Sequence, residues 1–362
     1  PATSISGEGQ SLGLASTQWT LGPGGGVQTL RARAGTLETT FTVNVIPPGT
    51  RNLMAQVPGR VLDAMPDRVL WLDSAGTQRL VKIRTLSTGT DAVVKVDTPQ
   101  SPTRSVMGRL FTGGALVWPQ VRQADTTDNP LFEYRNGTLA LLAHTYVGAG
   151  IEGDWAAWGT GSAIIRRDLA AGANATIVNA NGVGDPGADG DVVYRLDDGT
   201  TGLYQNGTHT PLTFDGFNTS SISVQTDGVN VVWLTFPPTL NTTQLYLDRP
   251  ANDLLLATGE ALYFGINGGW IAWNTGIGPV MRRSPGGTVQ QVSTTTTGNR
   301  LHAVGTDGSL VYQHPAPNGR YFLVSPDGSV ADVGVAASGD RIAWRVDRFL
   351  LINGGSVYVL AT

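Results

Sequence analysis

G-D-W-A-A-W at residues 153–158 is a Gly/Asp turn that runs into small or branched apolar residues and ends on an aromatic. The same phrase returns along the chain. It reads P-D-R-V-L-W ending at Trp71, G-G-A-L-V-W at Trp118, D-G-D-V-V-Y at Tyr194 and G-V-N-V-V-W at Trp233. It continues as G-G-W-I-A-W at Trp273, D-G-S-L-V-Y at Tyr312 and G-D-R-I-A-W at Trp344. With Trp158 in place, the intervals are 47, 40, 36, 39, 40, 39 and 32 residues. Asp bonds to its own backbone and Gly accepts positive φ, so each pair makes a tight turn, and the apolar run after it makes a short strand. A period near 40 built of such units predicts a β-propeller. Residues 51–362 divided into eight units give 39 residues each, so the chain is expected to be all-β, with eight four-stranded blades. Seven blades are the alternative, because the last interval is cramped.

Within a unit, an inner strand such as R-L-H-A-V (300–304) precedes the aromatic-tipped second strand. A third strand follows, as in L-V-K-I-R (80–84) or F-L-L-I-N-G-G (349–355), and then a fourth, as in T-L-A-L-L-A (138–143) or S-V-Y-V-L-A (356–361). On this division the first blade starts near Arg60 and the last is complete at Val357–Leu360. Closure would then rest on packing between blades, or on L-M-A-Q-V (53–57) adding an edge strand. Because an unpaired edge invites other chains, 53–57 is expected to be covered. The hub is expected to close without chemistry.

Composition narrows the function classes. The 362 residues suffice for one large all-β domain and a small appendage. Gly is high at 48, only 14% of residues are charged, and no long helical periodicity occurs. A net charge of −4 lacks the basic footprint of a nucleic-acid binder. The absence of Cys excludes disulfides and thiolate chemistry and fits an exported bacterial protein. No apolar run approaches about 18 residues, so no membrane insertion is expected. The chain opens at Pro1 without an initiating Met, as a piece of something longer would.

Residues 1–47 differ from the rest. G-L-A-S-T-Q-W-T-L-G (13–22), G-V-Q-T-L-R-A-R-A-G (26–35) and T-F-T-V-N-V (40–45) resemble the C-terminal half of a bacterial immunoglobulin-like domain of the invasin/intimin type. The resemblance implies a partial β-sandwich lacking its first strands, and so few strands need partners in water. Self-association through residues 1–47 is one way to supply them. Residues 48–59 read as a linker or edge strand, and 60–362 as the propeller. L-V-S-P-D-G (323–328) and L-Y-L-D-R (245–249) look like strands of TolB-type propellers, a likeness that carries no site residues.

Catalytic signatures are missing. The four histidines, His144, His209, His302 and His314, have no partners at metal-ligand spacing, and the five glutamates are too few to favour a glycosidase. Asp185, Asp189 and Asp191 crowd together but miss the calcium-loop pattern, and Asp at these turns has a conformational reason. No cofactor and no metal site is expected. The recurring aromatics are assigned to packing between blades. Trp155 and Trp270 stand apart, because other copies place Arg, Ala, Asp, Asn or Ser there, and both are candidates for contact with a ligand. Loops on the face shared by second-to-third-strand and blade-to-blade connections supply the other candidates: Arg122, Asp125, Asp128, Phe236 and His314. The expected function is non-enzymatic: an extracellular or cell-surface bacterial protein whose propeller, on an Ig-like stalk, recognises a protein or glycan partner. A propeller enzyme acting on polysaccharide, lyase or hydrolase, is one alternative. A structural fibre subunit joined by strand exchange is the other.

Overall fold

The computed structural model describes residues 26–34, 37–45, 50–74, 78–97, 105–120, 129–145, 149–212, 223–235, 242–248, 253–259, 262–276, 278–293, 295–316 and 319–360. The G-L-A-S-T-Q-W-T-L-G stretch (13–22) of the expected Ig-like fragment therefore lies outside the described residues. Gly26–Ala34 and Leu37–Val45 form an antiparallel hairpin, in register from Gly26↔Val45 to Ala34↔Leu37.

The remaining strands build an all-β propeller of eight four-stranded antiparallel blades. In chain order the innermost strands are Arg60–Met65, Ser105–Phe111, Ala149–Glu152, Gly182–Pro186, Ser223–Thr226, Leu262–Asn267, Arg300–Val304 and Arg341–Arg345, in blades 1 to 8. Each second strand is sandwiched between neighbouring blades. That is why it reads as an unbroken apolar run, where a strand with one wet face would alternate. Val69-Leu70-Trp71, Ala156-Ala157-Trp158 and Val231-Val232-Trp233 are all buried.

The motif aromatics Trp71, Trp118, Trp158, Tyr194, Trp233, Trp273 and Tyr312 are buried in this way. Each Trp takes about 200 Å² of ring out of water, worth at most about 5 kcal/mol at about 25 cal/mol per Å². The buried apolar residues fall into eight clusters, one at each interface between consecutive blades. The last of these joins Leu350, Ile352 and Val357 of blade 8 to Val61, Val69 and Trp71 of blade 1 and closes the ring.

Blade 8 corrects the division drawn from the sequence. Its strands run outward as Arg341–Arg345, Arg348–Asn353, Ser356–Leu360 and then Arg51–Gln56 from the other end of the chain. The blade is thus not complete at Val357–Leu360. Its outer strand pairs from Arg51↔Leu360 to Gln56↔Ser356, so the L-M-A-Q-V segment is an added edge strand. The Arg51 guanidinium also reaches the outer strand of blade 7, with Nε donating to the Val333 carbonyl at 2.5 Å and Nη2 to that of Val335 at 2.6 Å. G-D-R-I-A-W therefore lies on an innermost strand, and Trp344 is only half-buried. The residue equivalent to Trp71 is Leu351, fully buried on the second strand. It lies 351 − 312 = 39 residues after Tyr312, which removes the cramped interval and leaves eight regular repeats.

Candidate functional site

The innermost strands of a propeller converge on its axis, and here they enclose a polar channel with two connected chambers. The smaller, about 290 Å³, is lined at the ends of the inner strands of blades 3 to 8 and includes Glu152, Asp185, Gln225, Asp227, Asn267 and Arg345. The larger, about 640 Å³, is lined from blades 1, 2, 3, 7 and 8 and includes Asp63, Arg109, Glu152, Arg300, His302, Tyr321, Asp340 and Arg341. Ile151, Glu152, Ala343 and Arg345 line both, so one acid and one guanidinium mark the waist. The expectation of a hub without chemistry is therefore overturned: ionisable side chains converge there.

Asp63 is the fixed point of this arrangement. Its carboxylate is 1% exposed. Oδ2 accepts the Leu110 N–H of blade 2 at 2.9 Å, and Oδ1 accepts Arg345 Nη2 of blade 8 at 3.1 Å. Arg109 Nη1 lies 3.9 Å from the same Oδ1. Arg341 is spent on the framework, donating to the Leu62 carbonyl at 3.1 Å and the Val61 carbonyl at 2.7 Å. Burial, and then the neighbouring charge of Arg109, pull its guanidinium below its ordinary value.

Glu152 and Asp185 behave differently. Channel water reaches both, yet protein walls surround them and limit how well that water solvates a charge. This desolvation pushes Glu152 up, against the opposing pull of Arg345 and Arg109. It pushes Asp185 up to about 6, with the charge of Glu152 adding to it. Among the described residues neither carboxylate has a hydrogen-bond or ion-pair partner. In the larger chamber the His302 ring lies edge-on to Tyr321, centroids 5.1 Å apart, and its Nε2 is 3.2 Å from Gln313 Oε1. Burial lowers His302 and, with Asp340 alongside, pushes Tyr321 up to about 12.

The structure scatters the residues singled out from sequence. Arg122, Asp125, Asp128 and Phe236 lie outside the described residues. His314 ends the second strand of blade 7, half-buried. Trp155 and Trp270 start the second strands of blades 3 and 6, at the opposite end, and are half-buried against the next blade. The Arg166 guanidinium lies 4.6 Å over the Trp155 ring and donates to the Gly190 carbonyl at 2.9 Å. Arg282 lies 5.1 Å over Trp270 and donates to the Gly308 carbonyl at 2.6 Å. Gly190 and Gly308 have φ of 87° and 86°, and a Cβ at either would meet the indole at 2.5 Å. Each indole thus fastens one blade to the next turn.

Asp185, Asp189 and Asp191 do not act together. Asp189 Oδ1 accepts the Asp191 N–H at 3.1 Å within the turn, Asp191 accepts from Gln205, and Asp185 alone lines the channel. Among the described residues no three His, Asp or Glu side chains are grouped to hold a metal ion. The sequence reading passes over Asp63, Arg109, Glu152 and Arg345, and weighs Asp185 and His302 only as metal ligands. A partial signal was present: each is a charged or polar residue that interrupts or ends a short inner strand, as Asp63 does in R-V-L-D-A-M (60–65) and Glu152 in A-G-I-E (149–152).

No protein-family model matches the chain, and no curated protein matches it. Solved structures do. The dipeptidyl peptidase 4 of Porphyromonas gingivalis superposes with a TM-score of 0.53 at 10% identity, over 81% of this chain and 56% of that one. A structure from a study of two prolyl endopeptidases superposes with a TM-score of 0.50 at 12% identity, over 84% and 54%. The chain thus spans just over half the length of either. These likenesses show the propeller fold and nothing beyond it.

Proposed function

We propose that this protein is a recognition module that takes a small, polar, charged molecule into the channel of its propeller. The observation that carries this is the pair of carboxylates without partners among the described residues, Glu152 and Asp185, facing a chamber of about 290 Å³. Both are exposed to solvent yet walled in by protein, so each charge is incompletely solvated and a cationic group of a ligand can stabilise it. The recognition role expected from sequence thereby moves from the loops to the hub. The hairpin at 26–45 fits the second half of an Ig-like module that would display the propeller at a bacterial surface.

A second reading, an acid–base enzyme acting on polysaccharide, is favoured by one observation. Desolvation, with the charge of Glu152 beside it, pushes the Asp185 carboxyl up to about 6, a direction that suits proton transfer.

A thermal-shift screen against sugars, amino acids, polyamines and organic acids tests the proposal, run on wild type and on Asp185→Asn. Stabilisation of the wild type that vanishes in the variant supports channel recognition. Hits that survive the substitution return recognition to the loops, and turnover of a polysaccharide lost in Asp185→Asn favours the enzyme.

A further inference from the structure

We infer that the channel ligand is dipolar: a molecule carrying an ammonium group at one end and a carboxylate at the other. This rests on the reading of the channel as a ligand site and specifies what that site accepts.

Four charged groups in the channel carry it. Glu152 and Asp185 stand at the waist and in the smaller chamber, without hydrogen-bond or ion-pair partners among the described residues. Arg109 and Arg300 stand in the larger chamber. Arg109 is 41% exposed and makes one long contact, 3.9 Å to an Asp63 oxygen that Arg345 already holds at 3.1 Å. A guanidinium has five donors, so most of those on Arg109 face the cavity unused. Arg300 rests over the Tyr263 ring at 5.1 Å and makes no hydrogen bond among the described residues.

A framework network would have joined these acids to these guanidiniums. The fold instead leaves them unjoined: of the four, Asp185 lines only the smaller chamber, Arg109 and Arg300 only the larger, and Glu152 both. The separation is short, since the charges of Arg345 and Arg109 still act on Glu152. A neutral sugar can hydrogen-bond to these groups through its hydroxyls but brings no counter-charge to any of the four. A simple amine satisfies the carboxylates alone, and a simple acid the guanidiniums alone. A dipolar molecule satisfies both ends, with a bidentate carboxylate on Arg109 and an ammonium shared by Glu152 and Asp185.

Calorimetric titration with glycine, γ-aminobutyrate, 6-aminohexanoate and triglycine tests this, with butylamine, butyrate and glucose as single-charge and neutral controls. The series also separates a free amino acid from peptide termini. At least one dipolar probe is expected to bind more than about tenfold tighter than either single-charge control, a gap of about 1.4 kcal/mol. Asp185→Asn and Arg109→Gln should each remove that advantage while remaining folded, Asp185→Asn melting no lower than wild type. Glu152→Gln serves as a further variant should either of them fail to fold. The inference falls if no dipolar probe binds more tightly than about 1 mM while another molecule binds and loses affinity in Asp185→Asn; the channel would then remain a site for different chemistry. If no small molecule responds to Asp185→Asn, the channel reading falls with it.

Discussion

Asp63 should be the residue on which ring closure depends most. It belongs to blade 1, but its carboxylate is held by Arg345 of blade 8 and by the backbone of Leu110 in blade 2. Replacing it with Ala leaves a buried N–H without an acceptor and a guanidinium without a counter-charge. Breaking a buried pair from one side costs about 3–5 kcal/mol. The Arg345 side chain is 22% exposed, so water recovers part of this, and about 3 kcal/mol is expected. The propeller spans 360 − 51 + 1 = 310 residues. At about 2.1 cal/mol/K per residue its unfolding entropy is about 0.65 kcal/mol/K, so Asp63→Ala should lower Tm by about 5 °C. Asp63→Asn keeps one oxygen for the Leu110 N–H but loses the charge and the second oxygen, the one Arg345 holds, costing about 2 kcal/mol and about 3 °C. Calorimetry on the two variants, with Trp fluorescence to follow the blade interfaces, measures both. An Asp63→Ala protein melting within 1 °C of wild type would refute the closure role, and equal losses in the two variants would show that the Leu110 contact contributes nothing.

Three further outcomes follow from the same geometry. Gly190→Ala and Gly308→Ala each impose positive φ on a side chain and press a methyl group into Trp155 or Trp270. Each should cost about 2 kcal/mol or more in urea unfolding, and a neutral result would contradict the blade-to-blade latch. The Asp185 carboxyl is pushed up to about 6 in the folded protein, above its unfolded value of 3.8. The folded state therefore holds that proton more tightly, and the stabilisation it brings is complete below pH 3.8 and lost as pH rises through 6. Asp185→Asn should accordingly be more stable than wild type at pH 8 and match it near pH 4, by melting across that range. A chain starting at residue 58 lacks the outer strand of blade 8 and bares the edge of Ser356–Leu360. Light scattering should show it aggregating where a chain starting at residue 50 stays dispersed, and equal behaviour would mean that closure does not use this strand.

Much of the architecture is local and so was readable from one strand at a time. A second strand buried on both faces must be apolar throughout, and a two-residue turn must be Gly or Asp, so the unit recurs in the chain as often as in space. The blade count, the inner strand at Arg300–Val304 and the packing role of the motif aromatics all come from that correspondence. What misled the reading was radial position. G-D-R-I-A-W and D-R-F-L-L-I both look like a turn followed by a buried strand, and nothing local says which lies nearer the axis. That is settled by Arg51–Gln56 pairing with Ser356–Leu360 across the length of the chain, which shifts every strand of blade 8 one place inward.

The channel is the stronger case. Asp63, Arg109, Glu152, Asp185, His302 and Arg345 sit one to a blade, in six different inner strands and tens of residues apart along the chain. Sequence alone determined that about forty-residue units with wet turns and dry strands must stack blade against blade, because burial of an apolar run is a property of the run itself. Only the closed ring decided that six such isolated residues face one another. Convergence on an axis is a property of the angle between successive blades, and no single strand contains it.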